Sequence, residues 1–320
     1  MHTVQRTDWL RPLGRTGLTV SAVGAGGAPI GSMPHVFGHD LPAEQAISLV
    51  RDLLESPVRV IDTANGYSAG ESERRIGRAI SSVGGLPADY LIATKVDGQD
   101  GDYSGARVRE SIRESRQRLG LDRLPLVYLH DPEFALDQGL DAPGGAVAVL
   151  VELQAEGVIG ALGVAGGDVT VMHRFLDLGV FDVLLNHNRW TLVDRSADEL
   201  FDRASSEGIG VVNAAYLGGG LLADPRGQRM YGYRPARQAT VDAALKLEAL
   251  CCEWKTDLPT AALQFSLRDP RIHMSVVGIS KPERIQPLLE SVNTELPEQF
   301  WNAVESLVPD RSHWLESRVG

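Results

Sequence analysis

The chain repeats one local pattern: a helical stretch closes on a glycine, and a short apolar run begins a few residues later. Gly120 follows Arg118-Leu119, Gly157 follows Ala155-Glu156, Gly179 follows Asp177-Leu178 and Gly208 follows Ser206-Glu207. Each stands where a helix needs a left-handed residue just past its end. Helical periodicity begins near Pro42, Ser72, Gly105, Gly144, Asp168, Ser196 and Thr240. Strand-like runs cover 20–25, 58–62, 90–95, 126–130, 160–165, 183–186, 210–215 and 275–278. Short strands that alternate with helices pair in parallel, because each helical crossover returns the chain to the end at which the previous strand began. At 320 residues the simplest closure of eight such strands is an α/β fold, a (β/α)8 TIM barrel forming one domain over 1–320.

A hairpin with glycine turns, Pro12 to Val20, precedes the first strand, and long loops are expected on the C-terminal face. One loop opens after Gly24, Gly26 and Gly27 and passes through Gly31, Met33, His35 and Phe37. A second covers 218–237 and reads as a lid, and a tail follows Val308. The early glycines lack the G-x-G-x-x-G spacing, at a strand-to-helix junction with an acid about 20 residues on, that a dinucleotide fingerprint requires.

Charge excludes some partners. A net charge of −11 argues against nucleic acid and against an anionic membrane surface, both of which need clustered Lys and Arg. No run is apolar for the ~18–20 residues that would cross a bilayer, and Met1 to Arg6 lacks the apolar core of a signal peptide, so the expected compartment is the cytoplasm. Cys251 and Cys252 are adjacent, without metal-ligand spacing, and read as reduced thiols on a helix; no metal is expected.

Four polar residues stand out because they end or follow apolar runs. Asp62 ends one strand, Tyr67 follows it across an Asn65-Gly66 turn, Lys95 ends the next strand and His130 the one after. Strand ends feeding loops are where barrel enzymes place their chemistry.

These residues resemble the aldo-keto reductase superfamily across nearly the whole chain. The stretches that carry the likeness are Leu13-Gly14-Arg15-Thr16-Gly17-Leu18, Asp62-Thr63-Ala64-Asn65-Gly66-Tyr67 with Gly70-Glu71-Ser72-Glu73, Ala93-Thr94-Lys95 and Tyr128-Leu129-His130. Asn188-Arg189-Trp190-Thr191-Leu192, and 210–215 followed by Gly218-Gly219-Gly220, look like the L-fucose or D-threo-aldose 1-dehydrogenase branch. The resemblance implies a catalytic tetrad of Asp62, Tyr67, Lys95 and His130, with NADP or NAD as cofactor. It places the adenosine phosphate on Gly278, Ser280, Lys281 and Arg284, and the pyrophosphate against Gly218, Gly219 and Gly220. It puts the carboxamide near His187 or Asn188. The substrate is expected to be a small molecule lined by Trp190, Tyr67 and His130.

The physics agrees with such a set. A phenol of ordinary pKa near ~10 needs roughly 3 to 4 kcal/mol of anion stabilisation to fall by two or three units. An ammonium about 4 Å away supplies on the order of 4 kcal/mol at an effective dielectric near 20. Lys95 is therefore expected to lower the pKa of Tyr67, with Asp62 keeping the lysine charged.

Departures from the family pattern concern the cofactor. Ala165-Gly166 replaces a Ser-Asn pair that would hold the carboxamide, Ala214 replaces a stacking aromatic with Tyr216 two places on, and Pro287-Leu288 replaces an adenine-side Glu-Asn pair. The preference between NADP and NAD is thus left open, as is the oligomeric state. The implied reaction is nicotinamide-dependent oxidation of an aldose to a lactone, or the reverse reduction. Oxidation or reduction of pyridoxal or another aldehyde is the alternative on the same scaffold, and a cofactor-binding regulatory subunit without turnover is the alternative of another class.

Overall fold

Successive residues of a strand face opposite sides, and strands Val60–Asp62 and Leu91–Val96 are buried at every residue, Ile159–Gly166 at every residue but Gly160. Burying both faces of a parallel sheet takes helices on both sides or, as here, helices outside and closure of the sheet on its own interior. The computed structural model describes residues 4–34 and 40–316, so His35 and Phe37 lie outside the described residues.

The hairpin strands β1 (Leu10–Pro12) and β2 (Thr19–Ser21) pair antiparallel. Then come β3 (Val23–Gly26), β4 (Val60–Asp62), β5 (Leu91–Val96), β6 (Leu124–His130), β7 (Ile159–Gly166), β8 (Val183–His187) and β9 (Gly210–Ala214). A second small hairpin, β10 (Met230–Tyr231) with β11 (Arg234–Pro235), stands in the loop expected over 218–237, and β12 (Met274–Gly278) follows. The closed barrel runs β12-β3-β4-β5-β6-β7-β8-β9, parallel throughout.

The run expected as one strand over 20–25 is two. The Ser21 hydroxyl donates to the Val23 carbonyl at 2.7 Å and the Ala22 N–H to the Trp9 carbonyl at 2.7 Å, which turns the chain between hairpin and barrel. Gly120, Gly157, Gly179 and Gly208 all adopt left-handed backbone, with φ between 68° and 75°. Helix Gly105–Leu119 is capped by the Ser104 hydroxyl, and Val169–Leu176 by the Asp168 carboxylate. Helix Leu258–Leu267 is absent from the sequence reading. All its residues except Pro259 are buried, so its apolar pattern has no solvent face and no 3.6-residue period to read. No described helix is long and apolar enough to cross a membrane.

Two apolar clusters result. The larger lies between sheet and helices; the smaller fills the barrel and includes Val60, Ala93, Leu126, Tyr128, Leu185 and Val212. Leu13 and Val20 of the first hairpin belong to the smaller cluster, so that hairpin plugs the N-terminal end. A cleft of about 350 Å³ lined by Gly14, Arg15, Gly208 and His273 lies at this plugged end, away from the strand termini that carry Asp62, Lys95 and His130.

Gly163 faces the Tyr128 ring so closely that a Cβ would overlap it. Gly163→Ala should therefore destabilise the fold by about 1–3 kcal/mol through overpacking, read as a lower urea midpoint with unchanged slope.

Candidate active site

Strand alternation selects the side chains of the barrel mouth. Val60, Ala93, Tyr128 and Leu185 lie in the sealed interior. Two residues further along each strand, on the same face, stand Asp62, Lys95, His130 and His187. Lys95 is 2% exposed and Asp62 4%, so their ion pair is out of water. Lys95 Nζ donates to Asp62 Oδ1 and, at 2.8 Å, to the Thr63 carbonyl. It also lies 5.1 Å from the centre of the Tyr67 ring.

The loop that carries Tyr67 is fixed from below. Thr63 Oγ1 and Ser72 Oγ share a hydrogen bond at 2.8 Å, and Ser72 donates to the Gly27 carbonyl at 2.7 Å. Glu73, fully buried, accepts from Thr94 at 2.7 Å and pairs with Arg118 at 3.2 Å. Arg118 also donates to the Asn65 carbonyl at 3.1 Å. Helix Glu71–Ser82 thus ties the Tyr67 loop to the barrel through Ser72 and Glu73, both fully buried.

His130 completes the group. Its ring meets Tyr67 edge-on with centroids 5.6 Å apart, and its Nδ1 lies 2.6 Å from Asp97 Oδ1. Burial opposes the imidazolium, but Asp97 and Asp131 outweigh it and hold His130 above its ordinary range. Asp131 is raised by burial and lowered more strongly by His130 and His187, ending at about 2.

Tyr67 corrects an expectation. Its pKa is not lowered; it stands well above the usual phenol value. Burial is the largest cause, and Asp62, Tyr233, Asp131 and Asp97 add to it. Lys95 is bonded to Asp62, so the phenol faces a pair with no net charge and not a lone ammonium. The proton stays on the Tyr67 oxygen.

The other expected site residues divide. His187 reaches the mouth, with Nε2 3.5 Å from Asp131 Oδ1 and its ring edge against Tyr233 at 5.6 Å. Asn188 is buried beside it, its amide 3.0 Å from His187 Nδ1. Trp190 is not in the pocket. It packs among Phe201 at 6.0 Å and Phe265 at 5.4 Å, with the Arg271 guanidinium 4.8 Å over its ring, because it faces the helices and not the barrel. Tyr216, too, is buried in the outer core and leaves the end of β9 to Ala214.

Gly218, Gly219 and Gly220 form a left-handed turn against Tyr231, whose hydroxyl donates to the Asn188 carbonyl at 2.9 Å. Gly278 ends β12. Ser280 beyond it is buried, and Lys281 and Arg284 are exposed with no ion pair among the described residues.

Four residues escaped the sequence reading: Asp97, Asp131, Glu133 and Tyr233. Asp97 was findable, since the alternation that selects Lys95 carries on to it. Glu133 was not, because its place depends on a gap. Its Oε1 accepts the Gly167 N–H at 2.6 Å, and its buried, unpartnered Oε2 occupies the space a side chain at Gly166 would fill. Asp131, Glu133 and His187 bring ligand-type atoms within 4.8 Å of one another.

Residues 22–309 match the aldo/keto reductase family. The chain belongs to that family. This aldo-keto reductase is 33% identical over 293 residues to an L-galactose dehydrogenase of Arabidopsis thaliana, covering 90% of this chain and 88% of the relative. It is 28% identical over 316 residues to a D-threo-aldose 1-dehydrogenase of a Pseudomonas species, covering 89% and 93%. Its fold matches a holo-form aldo-keto reductase structure from Bacillus halodurans with a TM-score of 0.79 at 24% identity, covering 97% and 99%. Like its family, it is a nicotinamide-dependent oxidoreductase acting on small molecules. The residues present fit such a cofactor: unpaired cations lie beside a buried serine where β12 ends, and an orphaned buried acceptor, Glu133 Oε2, stands where the carboxamide-binding Ser-Asn is missing.

Removing one member of the buried pair strands the other. Lys95→Met should cost about 3–5 kcal/mol in urea denaturation, and the Lys95→Met/Asp62→Leu double variant should recover a large part of that loss.

Proposed function

We propose that this aldo-keto reductase oxidises the anomeric carbon of a small aldose of L-galactose or L-fucose type to the lactone with NADP or NAD, and runs the reverse reduction when the cofactor ratio favours it. The observation that carries this reading is the convergence of Tyr67, the Lys95–Asp62 pair and His130 at one rim. Beside them stands the Asp131 carboxylate, whose Oδ1 has only His187 Nε2 at 3.5 Å, an acceptor suited to a hydroxyl of a sugar. The sugar-oxidising relatives support it.

In this reading Ser280, Lys281 and Arg284 hold the adenosine phosphate beyond Gly278, where a helix start favours an anion. Gly218, Gly219 and Gly220 let the backbone approach the pyrophosphate. His187, Asn188 and Glu133 face the carboxamide. When bound, the nicotinamide supplies or takes the hydride, which no side chain can do.

The chain's own residues handle the proton. In reduction the Tyr67 hydroxyl donates to the carbonyl oxygen, His130 Nε2 holds that oxygen, and Lys95 stabilises the phenolate left behind. In oxidation Tyr67 must first lose its own proton to solvent, and the phenolate, stabilised by Lys95, then takes the proton of the hydroxyl whose carbon is oxidised.

Tyr67→Phe should lower kcat about 10²- to 10⁴-fold with the dinucleotide Kd unchanged, measured over a sugar panel at the nicotinamide absorbance. An undiminished rate would refute the assignment. Ser280→Ala and Arg284→Ala should instead raise the dinucleotide Kd, as fluorescence titration would report. The raised pKa of Tyr67 sets the sign of the pH dependence. The protonated donor persists into alkaline pH, so oxidation should speed up as pH rises from about 7 to about 9. Rate profiles of the oxidation direction check this.

A further inference from the structure

We propose that Asp97 is a positioning residue that fixes Tyr67 and His130 relative to each other, one carboxylate oxygen bound to the loop of the first and the other to the ring of the second. The role in turnover rests on the oxidoreductase reading above; the linkage itself does not. Asp97 Oδ2 accepts the N–H of Gly66, the residue before Tyr67, at 2.6 Å, and its Oδ1 lies 2.6 Å from His130 Nδ1. Both contacts are as short as charge-assisted hydrogen bonds. Asp97 follows the end of β5, while Gly66 follows β4 and His130 ends β6. A single side chain therefore spans three neighbouring strands, and the catalytic phenol and imidazole keep their edge-on contact because both are anchored to it.

The bond also decides which proton His130 offers. A neutral ring that gives its Nδ1 hydrogen to Asp97 has only a lone pair on Nε2, and cannot donate to a substrate oxygen. The imidazolium can. The groups around the ring are Asp97 and Lys95 from β5 and its end, Asp131 beside it in the chain, Tyr67 from the β4 loop, and His187 across Asp131. Burial and Lys95 disfavour the imidazolium, and the two aspartates favour it more, so the folded pKa lies above the unfolded one. A raised histidine contributes stability that is complete below about 6.5, its unfolded value, and is lost as pH rises through the folded value. The oxygen-holding form of His130 should disappear over the same interval.

Gly66 gives an independent handle. A Cβ there would come 2.9 Å from Asp97 Cγ, its three nearest atoms all belong to Asp97, and its φ is not positive, so alanine at this position bears first on the link to Asp97.

The test compares wild type, Asp97→Asn and Gly66→Ala. Asparagine has one acceptor oxygen for the two donors, so it preserves size while breaking one bond. His130 is titrated by NMR of the labelled imidazole, and turnover and dinucleotide Kd are measured separately. The expected result for Asp97→Asn is a His130 titration moved to lower pH, and a reduction rate about 10- to 100-fold lower, as when outer partners of functional histidines are lost. Its alkaline limb should shift down together with the titration, at unchanged Kd. Gly66→Ala should move the same readouts in the same direction by less. A His130 titration unmoved in Asp97→Asn overturns the proposal, as does a moved titration with an unchanged rate profile. If the wild type turns over no substrate, the functional reading fails, and the titration of the two variants alone decides whether Asp97 governs His130.

Discussion

The mouth of this barrel is organised by one buried ion pair. Taking an ammonium and a carboxylate out of water costs several kcal/mol per ion, and direct contact repays it only when the remaining hydrogen-bonding capacity is met. Lys95 meets part of it through the Thr63 carbonyl, while Asp62 Oδ2 is buried with no partner. Two apolar side chains would fill that space more stably. The pair's worth lies in what it does to Tyr67, next to which it holds an ammonium that substrate and cofactor can draw on.

That arrangement also explains why the phenol is a proton donor at rest. A lone ammonium at 5.1 Å would pull the phenol down; the same ammonium bonded to Asp62 presents a dipole, and the phenol's own burial decides the outcome. The stabilisation that Lys95 offers is therefore held back until charge develops on the Tyr67 oxygen, which is when a catalyst needs it.

The barrel was legible in the sequence because its signals are local. Glycines at helix ends and short strands of constant spacing need no tertiary information, and Asp62, Tyr67, Lys95 and His130 are marked by their places in those patterns. What was not legible depends on contacts between distant segments. Trp190 follows β8 by three residues, and nothing local says that it turns outward to Phe201 and Phe265. Glu133 fills a hollow that exists only because residue 166 has no side chain. The pKa of Tyr67 came out with the wrong sign because the sequence names Lys95 and its partner Asp62 but not how deeply the phenol is buried, and burial outweighs a cation whose charge Asp62 already offsets. Helix Leu258–Leu267 was missed for the opposite reason, being too uniformly buried to show a period.

The non-glycine residues with left-handed backbone are unevenly placed. Among the described residues there are nine, and all but Lys255 lie in loops that leave the C-terminal strand ends, several of them directly after Tyr67, His130, His187 and Ala214. Each conformation of this kind costs on the order of 1–3 kcal/mol, which the surrounding barrel must absorb. The plugged end carries no such burden. On warming, such a molecule should come apart from one side, with the rim relaxing while the barrel staves still hold, so that heat would silence the enzyme before it melts the fold.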